Sequence, residues 1–247
     1  MVLKVSVILG LQFAMRYDDR QLAYIRCSSR NNIVIGNPGS GKTTALQGRL
    51  EYMLRSHPVE SQFVLTFYKS TQEYLEVRLQ EIFGVHTRQQ VRTVHSVCYA
   101  LVDSIDVSTA IVRALRLDDD AFVSFFKNVR NVYIDEAQTL DEHMMDFVQK
   151  LKRICHWLSV DVLGDAAQNC RTEVTCQEEE FMLQYLHSGT VVYELVNNYR
   201  SASKIVNFCV ETHPFVGLMP MRATRNEHGA VELWIVRGGA FENMLVD

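Results

Sequence analysis

From about residue 30 onward, short apolar runs alternate with longer stretches whose apolar positions recur at helical spacing. Ile33-Val34-Ile35 predicts a short strand running into a glycine-rich turn, and Leu46, Leu50, Met53 and Leu54 then mark a helix. Phe63 to Phe67 predicts a second strand, and Leu75, Leu79, Ile82 and Phe83 a second amphipathic helix. Val132-Tyr133-Ile134 reads as a third strand, ending in Asp135-Glu136. A helix from about Asp141 to Cys155 leads to a fourth strand, Leu158 to Leu163, which ends in Gly164-Asp165. Further helices are expected over roughly Glu178 to His187 and around Ile205 to Val210, and Val231 to Val236 has the character of a strand. Strands alternating with helices in this way predict an α/β fold with a mainly parallel sheet flanked by helices.

The N-terminal segment follows a different period. Val5, Val7, Leu9, Leu11 and Phe13 alternate strictly, as a half-buried strand does. Lys4 ahead of this apolar stretch also invites a signal-peptide reading. Ser6, Gly10 and Gln12 interrupt it and no small-x-small cleavage site follows cleanly, so the strand is the better reading.

Composition narrows the class without naming a function. An apolar fraction of 47% and a charged fraction of 22% in 247 residues exclude disorder, collagen and coiled coil. That length suits one large domain, or one domain and part of a second. The only plausible boundary lies near Ser188-Gly189, which divides the chain into residues 1–190 and 191–247. A net charge of -4 excludes a wholesale basic coat but leaves room for a local basic groove. No apolar run approaches the roughly 18 residues of a membrane span, so no membrane partner is expected. The six cysteines form no Cys-x-x-Cys pair, which favours free intracellular thiols over a zinc site. An intracellular location follows as an expectation, with nucleus and cytoplasm undistinguished.

Candidate chemistry begins at Gly36-Asn37-Pro38-Gly39-Ser40-Gly41-Lys42-Thr43, which matches the G-x-x-x-x-G-K-[ST] template of a phosphate-binding loop. Glycines let successive backbone N–H groups converge on phosphate oxygens, and the helix that starts there adds its unpaired amides, Thr44 among them. Lys42 is the type of residue that neutralises β/γ-phosphates, and Thr43 carries a hydroxyl suited to Mg2+. The match lies between a predicted strand and a predicted helix, the context that a phosphate loop requires.

Asp135-Glu136, at the end of a buried strand, supplies the other half of such a site. Asp135 is expected to hold Mg2+, directly or through water, and Glu136 to orient and deprotonate the attacking water of ATP hydrolysis. Together these features predict a P-loop NTPase with a RecA-like, mainly parallel sheet.

Asp135-Glu136-Ala137-Gln138 extends the acid pair into a D-E-A-Q box, and with it the chain resembles a superfamily 1 DNA helicase of the UvrD/Rep type. Thr93-Val94-His95-Ser96 resembles the T-x-H-S box, Gly164-Asp165-Ala166-Ala167-Gln168 the G-D-x-x-Q box, and Asn198-Tyr199-Arg200-Ser201 the N-Y-R-S box. The matches run in order from about residue 21 to residue 201. The resemblance implies that Gln21 reads adenine, that Tyr199 stacks on it, and that Gln168 and Arg200 meet the γ-phosphate. It also implies contacts to single-stranded DNA by Leu65-Thr66-Phe67 with Arg78, and by Thr93 and His95. By themselves His95 reads equally as a packed core or turn histidine and Arg78 as a solvated helix face, while the bland alternative for Tyr199-Arg200, a surface turn before a helix, is the weaker reading.

The chain also departs from that family. Residues 202–247 hold no later motor boxes, Asn169-Cys170-Arg171 replaces the aromatic run after the G-D-x-x-Q box, and the span between Ser96 and Asp135 is short. The expectation is therefore an ATP-binding and ATP-hydrolysing helicase domain that acts on single-stranded or tailed duplex DNA. Its second half would come from a separate chain or domain, and alone it would hydrolyse ATP poorly and unwind nothing. The alternative is an ATP-dependent nucleic-acid-binding or regulatory module without unwinding activity. A small-molecule P-loop kinase is disfavoured, since it has no use for Gln168, Arg200 or the T-x-H-S box.

Overall fold

The computed structural model describes residues 17–83, 90–102, 107–165, 190–212, 221–225, 233–237 and 240–244. The N-terminal alternation, the helix expected at Glu178 to His187 and Gln168 lie outside these residues. In chain order the elements are α1 (Asp19–Ile25), β1 (Asn32–Gly36), α2 (Lys42–Met53), β2 (Gln62–Thr66), α3 (Lys69–Phe83), β3 (Val91–Thr93) and α4 (Val94–Val102). They continue with α5 (Val107–Arg116), α6 (Asp119–Phe126), β4 (Asn131–Ile134), α7 (Glu142–Ile154), β5 (Ser159–Gly164) and β6 (Val191–Leu195). Last come β7 (Asn197–Ala202), α8 (Ser203–Thr212), β8 (Arg222–Arg225), β9 (Leu233–Arg237) and β10 (Ala240–Met244).

Two compact units share these elements. The first comprises Lys42–Glu194 and the described residues before Gly36; the second comprises Gly36–Gly41 and the described residues from Leu195 onward.

The six-stranded sheet runs in the order β3-β2-β4-β5-β1-β6. The pairings of β2 with β3, β2 with β4, β4 with β5, and β1 with β5 are all parallel. This is the α/β fold with a mainly parallel sheet that the alternation of strands and helices predicts, of the P-loop, RecA-like kind that the loop and acid motifs predict. Every residue of β2 is buried, as strands covered by helices on both faces require. One strand, β5, separates the loop strand β1 from the acid-bearing strand β4. The carboxyl ends of β1, β5 and β4 therefore lie side by side, with Ile35 opposite Gly164 and Ile134 opposite Val162. Ligands of open parallel sheets bind outside such ends.

Helix α7 shows how locally these elements are specified. Asp141 caps its start by accepting from the Met144 N–H at 2.9 Å, Glu142 lies in the first turn, and Lys152 and Arg153 lie in the last. Cap and charges all oppose the helix dipole. Met144, Phe147, Val148, Leu151 and Ile154 form its buried stripe against the sheet. Strand β3 is only three residues long, and α1, α4, α5 and α6 are not among the elements that the sequence pattern predicts.

A buried polar network ties α1, β1, α2 and β5 together. Asp161 accepts from the Asn32 backbone N–H at 3.1 Å, the Asn32 side chain at 2.6 Å and the Tyr24 hydroxyl at 3.2 Å. Arg49 lies 3.8 Å from the same carboxylate and donates to the carbonyls of Ile25 and Cys27 at 3.0 and 2.7 Å. Burial pushes the Asp161 carboxyl up, and Arg49 and the hydrogen bonds pull it back.

In the second unit β7 and β8 pair in parallel, and β9 and β10 pair antiparallel. Among the described residues no helix is long and apolar enough to cross a membrane. Cys27, Cys98, Cys155 and Cys209 are free thiols.

Candidate functional site

In the first unit, α2 opens with Lys42 and Thr43. The Thr43 hydroxyl donates to Asp135 Oδ2 at 3.1 Å, and Lys42 Nζ lies 3.8 Å from Asp165 Oδ2. Lys42, Asp135 and Asp165 are all buried. Strand β4 delivers Asp135 one residue beyond its end, where the Asp135 N–H still donates to the Leu65 carbonyl at 3.0 Å. Burial and the neighbouring Glu136 carboxylate push the Asp135 carboxyl up to about 6. The Thr43 hydroxyl, the Glu136 N–H and Lys42 oppose that rise without cancelling it.

Glu136 adopts a left-handed backbone, φ 56° and ψ 43°, which costs a non-glycine residue roughly 1 kcal/mol. The conformation is held from several sides. The Glu136 N–H donates to Asp135 Oδ1 at 3.1 Å, and its carbonyl accepts from the Thr139 N–H at 2.9 Å and the Thr139 hydroxyl at 2.6 Å. The Gln138 carboxamide donates to Glu136 Oε2 at 2.6 Å and accepts the Asp165 N–H at 3.0 Å. Gln138 thus ties the end of β4 to the end of β5. A Cβ at Gly164 would stand 3.0 Å from the Gln138 Oε1, so the glycine makes room for this bridge.

In the second unit, Gly39 and Gly41 have φ of 79° and 80°, which glycine alone adopts at little cost. The Ser40 N–H closes a turn on the Asn37 carbonyl at 3.1 Å. Strand β7 lies against this loop. The Asn198 side-chain amide donates to the Pro38 carbonyl at 2.9 Å, and the Tyr199 N–H donates to the Gly39 carbonyl at 2.9 Å. Asn198 Oδ1 accepts from the N–H groups of Arg200 and Ser201 at 2.9 and 2.8 Å.

Lys42, Thr43, Asp135 and Glu136 gather at one end of the first unit. Gly36, Asn37, Pro38, Gly39, Ser40 and Gly41 share the second unit with Tyr199 and Arg200, and Thr44 is exposed on α2. Tyr199 and Arg200 lie on a strand rather than in a turn, with their side chains exposed. Gln21 is buried, and its amide oxygen closes a capping box by accepting the Asp18 N–H at 3.2 Å. Thr93 caps α4 by accepting the Ser96 N–H at 3.2 Å, and His95 lies half-buried in the first turn. Phe67 follows β2, packed edge-on against Tyr68 with 4.9 Å between ring centroids. Arg78 pairs with Glu81 at 2.8 Å on the solvent side of α3. Three residues enter unannounced: Gln138 and Asp165 in the first unit and Asn198 in the second. Each is a letter of a box in the sequence, and nothing there shows what its side chain touches.

The glycine loop, the lysine and hydroxyl that follow it, and a buried carboxylate on a parallel sheet define a P-loop NTPase. Residues 20–172 match the AAA domain family, and the chain belongs to it. It is similar to the protein named ATP-dependent DNA helicase R568 of Acanthamoeba polyphaga mimivirus. The two are 22% identical over 239 residues, spanning 88% of this chain and 32% of that protein. The chain thus spans about a third of the length of this curated relative. Among solved structures it is similar to the Pif1 helicase of Candida albicans (15% identity, TM-score 0.48, 72% of this chain and 39% of that one). It is also similar to the Hef helicase domain of Pyrococcus furiosus (12% identity, TM-score 0.44, 81% of this chain and 48% of that one).

Proposed function

We propose that this chain is the ATP-binding and ATP-hydrolysing part of a UvrD/Rep-type superfamily 1 helicase that acts on single-stranded or tailed duplex DNA. The observation that carries the reading is the contact of Thr43 with Asp135, which joins the phosphate-loop motif to the acid box across 92 residues of sequence. Hydroxyl and carboxylate oxygens are the donors that Mg2+ prefers, so the residues present fit that ion. Bound there, Mg2+ would offset the charge of the β/γ-phosphates.

In this reading Lys42 meets the β/γ-phosphates as a point charge. Glu136, oriented by Gln138, takes the proton of the attacking water. Tyr199 stacks on adenine and Gln21 reads its edge, while Arg200 and Gln168 respond to the γ-phosphate. Phe67, Thr93 and His95 contact the DNA strand, and their positions after β2, at the end of β3 and at the start of α4 put them on neighbouring strand ends. The DNA helicase name of the mimivirus relative supports a DNA substrate. Residues 1–190 would be the ATP-binding domain and residues 191–247 the start of a second motor domain or a C-terminal extension. The rest of the motor would come from a separate chain or domain.

The test is an ATPase assay with and without single-stranded DNA. Mg2+-dependent hydrolysis stimulated by the strand is expected, and Lys42→Ala should abolish it. Unchanged nucleotide affinity and turnover in Lys42→Ala would overturn the assignment of the loop.

A further inference from the structure

The loop Gly36–Gly41 carries its phosphate-facing capacity on its amides, and an amide can serve only if its peptide plane is turned the right way. In a trans peptide the C=O of one residue and the N–H of the next point in opposite directions. Whatever grips the Pro38 carbonyl therefore also aims the Gly39 N–H. The grip here is a side chain: the Asn198 amide donates to the Pro38 carbonyl at 2.9 Å. One residue on, the Tyr199 N–H holds the Gly39 carbonyl at 2.9 Å and so fixes the next plane, whose Ser40 N–H closes the turn on Asn37. Asn198 itself is buried and fully used, because its Oδ1 gathers the N–H groups of Arg200 and Ser201. Its own carbonyl accepts from the Thr224 hydroxyl of β8 at 2.8 Å. Packing is equally close: a Cβ at Gly39 would stand 2.8 Å from the Arg200 Cβ and 3.0 Å from Asn198 Oδ1.

From this geometry we infer that Asn198 is a positioning residue for the phosphate loop, one that sets the direction of the Gly39 amide and ties it to the backbone of Arg200. The inference rests on the proposal that this loop binds nucleotide phosphates, and it adds a residue to which no role had been given. One carboxamide holds the loop with its nitrogen and the Arg200 backbone with its oxygen. The N-Y-R-S segment therefore shapes the loop as well as presenting Tyr199 and Arg200.

Two substitutions separate the halves of the carboxamide. Asn198→Asp keeps the acceptor for Arg200 and Ser201 but replaces the donor to Pro38 by an oxygen that repels its carbonyl. Asn198→Ala removes both. Thr224→Val removes a hydrogen bond to the same residue's backbone without touching the loop, and serves as the control for a general loosening of β7 and β8. Two readouts are taken on the full chain. Backbone hydrogen exchange over residues 36–41, measured without nucleotide, should accelerate about tenfold in Asn198→Asp relative to Thr224→Val, since one hydrogen bond of ordinary strength is lost. The dissociation constants of Mg·ATP and Mg·ADP should rise about tenfold in Asn198→Asp and stay within twofold in Thr224→Val. Parental exchange over the loop in a folded Asn198→Asp would overturn the inference, and so would parental nucleotide affinity. The exchange measurement needs no nucleotide. A parent chain that failed to bind ATP would count against the proposed function, whereas the exchange result would still decide whether Asn198 holds the loop.

Discussion

The Gln138 carboxamide donates to the Glu136 carboxylate at 2.6 Å, two residues away along a turn that opens with Glu136 in a left-handed conformation. A carboxylate held this way has one oxygen engaged and its orientation set, as a residue positioned to take a proton from water needs. Glu136→Gln keeps the size and the hydrogen-bonding capacity but removes the proposed base. Turnover is expected to fall by about 10²–10⁴, the range for loss of a general base, with Mg·ATP affinity within a few-fold of the parent. Single-turnover hydrolysis beside equilibrium binding checks both, and a parental rate would move the base elsewhere.

Gly164→Ala probes the same arrangement from the other strand. The added methyl would stand 3.0 Å from Gln138 Oε1, so Gln138 must shift and its bond to Glu136 must lengthen. A backbone of ordinary φ at this position carries no strain of its own. The expected result is a kcat reduced by roughly tenfold with nucleotide affinity retained, the pattern of a misplaced catalytic group. An unchanged kcat would show that Gln138 gives way without disturbing Glu136.

Asp135 makes stability depend on pH in a particular direction. Its carboxyl is pushed up to about 6 in the folded chain, above the range of an unfolded aspartate. The folded chain therefore binds this proton more tightly than the unfolded chain. The group's contribution is fully present below the unfolded pKa and is lost as pH rises through about 6. Asp135→Asn in chelator-treated buffer should accordingly be more stable than the parent at pH 7, by roughly 2–3 kcal/mol, and the gap should close toward pH 4. Denaturant titrations across that window are the measurement. The same variant should lose the stabilisation that Mg·ATP confers on the parent.

Arg49 is expected to matter for stability alone. Arg49→Met leaves the buried Asp161 without its cation and the carbonyls of Ile25 and Cys27 without a donor. Breaking a buried pair from one side costs about 3–5 kcal/mol. A double variant with Asp161→Leu should be less destabilised than the sum of the single changes, as coupled buried partners are. Additive losses would mean that Arg49 serves α1 through the carbonyls only.

Much of the fold was legible because helix and strand periods are written locally. Asp141, Glu142 and the stripe from Met144 to Ile154 specify α7 within 14 residues, and the expected helix from about Asp141 to Cys155 is found at Glu142–Ile154. The expected strand at Phe63 to Phe67 is found at Gln62–Thr66, and that at Leu158 to Leu163 at Ser159–Gly164. A strand too short to carry a period is not legible in this way. Strand β3 is three residues long and owes its state to pairing with β2, so nothing in Val91-Arg92-Thr93 announces it.

The chemistry divides along the same physical line. Sequence alone determined the phosphate loop, because a glycine-rich turn followed by Lys42 and Thr43 needs only consecutive residues, and likewise the acid pair that ends an apolar strand. Tertiary structure alone decided which of these groups meet. Thr43 reaches Asp135 across 92 residues, Gln138 reaches Asp165 across 27, and Asn198 reaches Pro38 across 160. Periodicity reports which face of an element is buried, but not which strand lies beside it. The order β3-β2-β4-β5-β1-β6 places β5 between the loop strand and the acid strand, and that choice turns separate motifs into neighbours. Asn198 shows the limit most plainly: in the sequence it is a polar residue before a tyrosine, and only the folded chain lays it against the loop it holds.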